Sequence, residues 1–185
     1  MTERTPARSY PDLHDHLKAL DEAGLLVTVD REINKDTEMH PLVRWQFRGG
    51  IEEKDRKAFL FTNVVDSKGN KFDMPVAVGV LAANREIYAM GMGCPVEEVQ
   101  DRWAQAIANP IAPKEISSDE APCHEVIIEG DDLDKPGNAL DYIPVPISTP
   151  GWDVGPVATL TQYVTRDPDT GLSNMGNYRA QIKDP

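Results

Sequence analysis

No run of apolar residues in this chain is long enough to span a membrane, and no apolar stretch follows a basic N-terminus. Neither a transmembrane helix nor a secretory leader is expected, and no membrane partner, so the expected location is the cytoplasm. Cysteine is scarce: Cys94 and Cys123 lie far apart and outside any CxxC or other metal-type spacing, which leaves two reduced structural thiols as the reading. Positive charge is short as well, with 19 Lys and Arg against 31 Asp and Glu and a net charge of −12. Such a chain cannot neutralise a phosphate backbone, so nucleic acid is not an expected partner. The deficit is uneven. Residues 1–150 carry 16 basic and 27 acidic side chains and residues 151–185 carry 3 and 4, so chemistry in the last segment would proceed in a nearly neutral neighbourhood. Aromatic residues make up only 6%; Trp45, Trp103 and Trp152 are expected to pack, with Trp152, beside Gly151, also placed to approach a substrate. Internal repeats and low-complexity tracts are absent.

What is present suits a globular protein of 185 residues, 40% apolar and 27% charged. Leu13, Leu17 and Leu20 at helical spacing predict a helix over 10–23, closed by Gly24. Leu25 to Val29 reads as a strand, and Asp36-Thr37-Glu38 opens a second helix that Gly49-Gly50 ends. Ala58 to Val65 and Met74 to Leu81 read as buried strands joined through a Ser67 to Asn70 turn. Pro95 starts another amphipathic helix through Val99, Trp103, Ala106 and Ile107, which Asn109-Pro110 stops. Residues 109–122 hold three prolines and few apolar groups, the composition of a linker. Beyond it the helical period is lost, and Cys123 to Glu129, Val157 to Arg166 and Leu172 to Lys183 read as strands, the last two joined by the Asp167-Pro168-Asp169-Thr170-Gly171 turn. Two or three strands rarely close a β-domain, so the second domain is expected to be cut short at Pro185.

Among the residues able to carry chemistry, His14 and His16 are two apart on a helix and share no face, which argues against a metal pair. His40 and His124 read as satisfied surface or core histidines. The acidic run from Glu129 to Asp134 lacks the alternating ligands and terminal Glu of a calcium loop. The informative string is Asn174-Met175-Gly176-Asn177-Tyr178-Arg179. In a strand, Asn177 and Arg179 share one face and Asn174 and Tyr178 the other, so bringing Asn174 and Arg179 to one pocket requires a bend, for which Gly176 is the candidate.

That string resembles the N-x-G-x-Y-R signature of the UbiD family of reversible decarboxylases. The Ile143-Pro144-Val145-Pro146 segment, the Thr149-Pro150-Gly151 turn, Val29 to Ile33, Phe61 to Val64 and Asn84-Arg85 agree with it in order. The resemblance implies an N-terminal α/β domain over 1–112, followed over 113–185 by the start of a split β-barrel that binds prenylated FMN, α+β overall. It implies that Asn174 ligates a divalent metal, usually manganese with potassium as an accompanying ion, that Asn177 and Tyr178 line the flavin, and that Arg179 lies beside the flavin near the substrate carboxylate. The implied reaction is loss or addition of CO2 on an aromatic or α,β-unsaturated carboxylic acid, in a dimer or hexamer supplied with cofactor by a flavin prenyltransferase. The family's other metal ligands, a His and a Glu, and its catalytic acid fall in later sequence, so these 185 residues alone are expected to be inactive. The alternative is a non-catalytic binding or assembly subunit of a multi-subunit carboxylase.

Overall fold

The computed structural model describes residues 12–112 and 114–183. The expected helix start at Tyr10, Pro113 of the linker and the chain end at Pro185 lie outside them. The chain divides into two units that alternate along the sequence, one of residues 12–29, 46–61 and 77–128, the other of residues 30–45, 62–76 and 129–183. Together they form a mixed α/β structure of small sheets, with no closed barrel among the described residues.

In the first unit, Asp12 caps the helix α1 (Leu13–Glu22) by accepting from the Asp15 amide at 3.0 Å. Gly24, at φ +66°, turns the chain out of the helix, and the Leu25 amide reaches back to the Leu20 carbonyl at 2.8 Å. Strand β1 (Leu26–Val29) then pairs in parallel with a later strand, Ala58–Phe61, and a third, Val76–Val78, completes that sheet. Leu20, Leu25, Ala58, Val80, Ala83 and Ile87 form the core. His16 is buried beside them with Nε2 2.7 Å from the Val80 carbonyl oxygen.

The second unit begins with β2 (Ile33–Asn34) and includes the start of α2 (Met39–Arg48). The helix begins three residues later than Asp36 because Asn34 organises its entry: Asn34 Oδ1 accepts from the Asp36 and Thr37 amides, while Glu38 Oε2 accepts from the Asn34 amide at 2.8 Å. This is the reciprocal logic of a capping box. The expected single strand over 58–65 is two strands, β3 (Ala58–Phe61) and β4 (Val64–Val65), in different sheets. The apolar run is continuous, but β3 takes β1 as its parallel partner and β4 takes β2. After the Ser67–Asn70 turn the chain returns as β5 (Lys71–Phe72), antiparallel to β4, so the turn closes a shorter hairpin than expected. Only Val76–Val78 (β6) of the expected strand over 74–81 is extended and paired.

A helix not foreseen follows, α3 (Arg85–Met92), with Asn84 as its cap. Its signal was present in Asn84 and Gly93, at the two ends of an eight-residue segment. Then α4 (Val99–Ala108) continues from a single 3-10 turn at Val96–Glu98. The expected strand over 123–129 is not formed: Pro122–His124 is a 3-10 turn, and Val126 and Ile127 are exposed. An apolar run becomes a strand only when another strand takes its backbone groups, and none does so here among the described residues. Both cysteines are free and Cys123 is exposed, so it is not the buried packing group expected of it. Trp45, Trp103 and Trp152 are likewise exposed, against the packing expected of them.

Asn84 is buried, accepts from the Ile87 amide at 2.8 Å and donates Nδ2 to the Arg56 carbonyl at 2.8 Å. Asn84→Ala removes a helix cap and leaves a part-buried carbonyl without that donor. It is expected to cost about 1–3 kcal/mol of stability, read from the urea midpoint at unchanged slope; a midpoint equal to that of the parent would contradict this role.

Candidate functional site

The candidate site lies on the hairpin of the second unit, β7 (Val157–Arg166) and β8 (Ser173–Gln181), paired antiparallel as the sequence predicts. Its tip sets the register. Asp167 Oδ1 accepts from the amides of Asp169 at 2.9 Å and Thr170 at 2.7 Å, the Asp167 amide donates to the Leu172 carbonyl at 2.9 Å, and Gly171 takes φ +71° to bring the chain back. Hydrogen bonds from the Thr170 amide and hydroxyl, then from the Asp169 amide, hold the Asp167 carboxyl below its usual pKa although it is fully exposed.

From this tip the pairing runs Arg166 with Ser173, Thr165 with Asn174, Tyr163 with Gly176, Gln162 with Asn177 and Thr161 with Tyr178. Strand alternation places Asn174 and Tyr178 on one face and Asn177 and Arg179 on the other. The expected bend at Gly176 is not found, because pairing passes through that residue without a shift. The irregularity sits on the other strand. Between Ala158, paired with Ala180, and Thr161, paired with Tyr178, β7 has two residues where β8 has only Arg179. This is a β-bulge at Thr159–Leu160, and the Thr161 hydroxyl spans it with a hydrogen bond to the Ala158 carbonyl at 3.3 Å. A bulge bends the strand that carries it and increases local twist, here opposite Arg179. Gly176 is needed for a different reason: the Tyr178 ring lies over it, in the space a Cβ would occupy.

Asn174, Asn177, Tyr178 and Arg179 are all exposed, and none of them lines the cavity of about 840 Å³ in this unit, which is bounded by Lys35, Phe72, Tyr142, Ile143, Ile182 and Lys183 among others. Lys35 is buried there, with Nζ 2.7 Å from Asp36 Oδ1, 3.0 Å from the Val145 carbonyl and 5.7 Å from the Phe72 ring centre. These contacts fix the 143–149 segment, which Arg44 also holds through Ser148 O and Thr149 Oγ1, each at 3.0 Å. Beside it, burial and then the Arg44 charge lower the His40 pKa against the opposing pull of Asp153, so this imidazole is neutral at pH 7. No group of three or more His, Cys, Asp or Glu side chains able to hold a metal occurs among the described residues. Asn174 offers a hard cation one amide oxygen, and the aromatic face next to it suits a flat ring system, so this chain's residues fit part of a flavin and metal site. Tyr163 was missed from the sequence, although counting back from the turn at 167–171 would have set it opposite Gly176.

Two family models match this chain: the 3-octaprenyl-4-hydroxybenzoate carboxy-lyase N-terminal domain over residues 17–107, and the Rift-related domain of the same carboxy-lyase over residues 114–185. The chain belongs to the UbiD family. Members of the family are carboxy-lyases. The UbiD-class enzyme HmfF from Pelotomaculum thermopropionicum, in an evolved dimeric form in complex with prFMN, is similar at 30% identity and a TM-score of 0.76 over 95% of this chain. HmfF in complex with FMN is similar at 31% identity and a TM-score of 0.74 over 94%. Vanillic acid decarboxylase of Sedimentibacter hydroxybenzoicus shares the fold at 23% identity and a TM-score of 0.72. This chain spans 35–37% of the length of those structures. No helix among the described residues is long and apolar enough to cross a membrane.

Asp167→Ala is expected to speed amide hydrogen exchange along β8 at neutral pH. The Asp167 pKa is depressed in the fold, so its contribution is complete above the usual Asp value of about 3.9 and is lost as pH falls through the depressed one. Exchange unchanged by the substitution would show that the turn does not hold the register.

Proposed function

We propose that the whole protein removes CO2 from, or adds it to, an aromatic or α,β-unsaturated carboxylic acid, using prenylated FMN and a divalent metal, manganese, with potassium beside it. The observation that carries this reading is the Asn174-Met175-Gly176-Asn177-Tyr178-Arg179 string on an ordered strand of a UbiD-family chain. Support for the flavin comes from HmfF, whose structures hold prFMN or FMN. Asn174 would offer its amide oxygen to the metal, a fitting donor for a hard cation. Asn177 and Tyr178 line the flavin. Arg179 orients the substrate carboxylate through its planar fork of donors, a role Lys fills less well. Bound prenylated FMN supplies the electron sink, which leaves positioning and polarisation to the protein.

The boundary between the N-terminal α/β domain and the start of a split β-barrel is placed near residue 112, supported by the gap between the two family models at 108–113. One Asn cannot hold a catalytic metal, and the resemblance puts the remaining ligands and the proton donor in later sequence. The 185 residues alone are therefore expected to show no turnover and to bind the flavin weakly or not at all. The intact protein assembles as a dimer or hexamer in the cytoplasm, with a flavin prenyltransferase supplying the cofactor. An assembly subunit without activity of its own is the competing reading, and turnover by the purified full-length protein separates the two.

Arg179→Ala in the full-length protein leaves the carboxylate without its partner, which costs about 2–5 kcal/mol and lowers turnover by roughly 30- to 5,000-fold. Arg179→Lys restores part of it. Turnover is to be compared at matched flavin occupancy; full activity of the Ala variant would show that the motif misassigns the residue.

A further inference from the structure

We propose that Tyr163 is a positioning residue that fixes the flavin-facing ring of Tyr178. The inference rests on the flavin reading above and assigns a residue outside the N-x-G-x-Y-R string. Tyr163 stands directly opposite Gly176 in the antiparallel register. Gly176 has no side chain, which leaves a gap on that face of the hairpin, and Tyr178, two residues further on, folds its ring back into it. A Cβ on Gly176 would come within 3.1 Å of Tyr178 Cζ and 3.2 Å of Cδ2, so the ring can lie down only over glycine. Tyr163 meets that ring edge to face, with centroids 5.7 Å apart and planes at 81°.

The pair is not a core contact. Tyr178 remains 61% exposed and Tyr163 45% exposed, so the gain is in orientation more than in buried area. Gly176 supports the Tyr178 ring from below, Tyr163 stops it from rotating aside, and much of its surface stays open. Asn174, the hard oxygen donor, lies on the same face two residues from Gly176 and is paired with Thr165. An open aromatic surface next to a metal-type oxygen is the chemistry a flavin requires, its ring system stacking and its phosphate end reaching a cation. Aromatic pairs of this geometry hold orientation beyond what area burial gives.

The test uses the full-length protein titrated with FMN, read by the dissociation constant and by the flavin emission remaining at saturation. Tyrosine in contact with an isoalloxazine quenches it, so saturated emission reports where the Tyr178 ring lies and does not follow fold stability. Tyr163→Leu keeps an apolar side chain without the ring edge, and is expected to weaken FMN binding about 2- to 12-fold, the range for one edge-to-face pair, and to raise the emission of bound FMN. Gly176→Ala, which displaces the Tyr178 ring directly, is expected to raise that emission too, whereas Tyr163→Phe should match the parent in both readings. Parent-like affinity and emission in Tyr163→Leu would overturn the inference while leaving the flavin reading intact. If Tyr163→Leu does not fold, parent-like emission in Gly176→Ala would overturn it instead. Failure of the parent itself to bind FMN would remove the flavin reading, and this inference with it.

Discussion

Everything proposed for this chain depends on one constraint, the register of the hairpin between β7 and β8. Side chains alternate along a strand, so a slip of one residue would exchange the face of Asn174 and Tyr178 for that of Asn177 and Arg179. Burial normally fixes such a register, but here both faces of β8 are largely exposed and hydrophobic patterning contributes little. The turn does the work instead, through the Asp167 carboxylate on the Asp169 and Thr170 amides and through Gly171 in a conformation other residues resist. Five residues of loop thereby decide which functional groups face one another seven to twelve residues downstream of Asp167.

Given that register, Asn174 and Arg179 are five positions apart on β8 and belong to opposite faces. The irregularity of the hairpin, the bulge at Thr159–Leu160, is on the partner strand opposite Arg179. Such an arrangement leaves β8 regular from Ser173 to Gln181 and confines the added twist to the neighbourhood of Arg179. The same regularity lets Gly176 serve as a seat for the Tyr178 ring. The near-neutral charge of the last 35 residues in a chain of net −12 suits the proposed binding of an anionic group there, because a local guanidinium is then opposed by few fixed negative charges.

Much of this was legible in the sequence because the signals were local. The turn over 167–171, the two strands beside it, the helix caps at Gly24 and the apolar spacing of Leu17 and Leu20 each follow from a few neighbouring residues, and the structure has them. What was not legible depended on partners distant in sequence. The run from Ala58 to Val65 looks like one strand until its two halves choose β1 and β2, and Cys123 to Glu129 looks like a strand until no neighbour takes its backbone groups. A bend was expected at Gly176, since a glycine inside a strand is the usual visible mark, whereas the irregularity lies on the other strand at Thr159 and Leu160, which carry no such mark. Asn84 and Gly93 marked the ends of α3, and that helix was missed because it has barely two turns.

The account turns on whether Asn174 and Arg179 reach one cofactor site from opposite faces of a single strand. The most direct measurement is a crystal structure of the full-length protein with FMN and Mn2+ bound, examined at β8. The expected result is Asn174 Oδ1 at a coordination distance of about 2.0–2.6 Å from the metal, with the Arg179 guanidinium beside the isoalloxazine. A metal and flavin bound with Asn174 outside coordination distance, or with Arg179 directed to the far face of the hairpin, would contradict it.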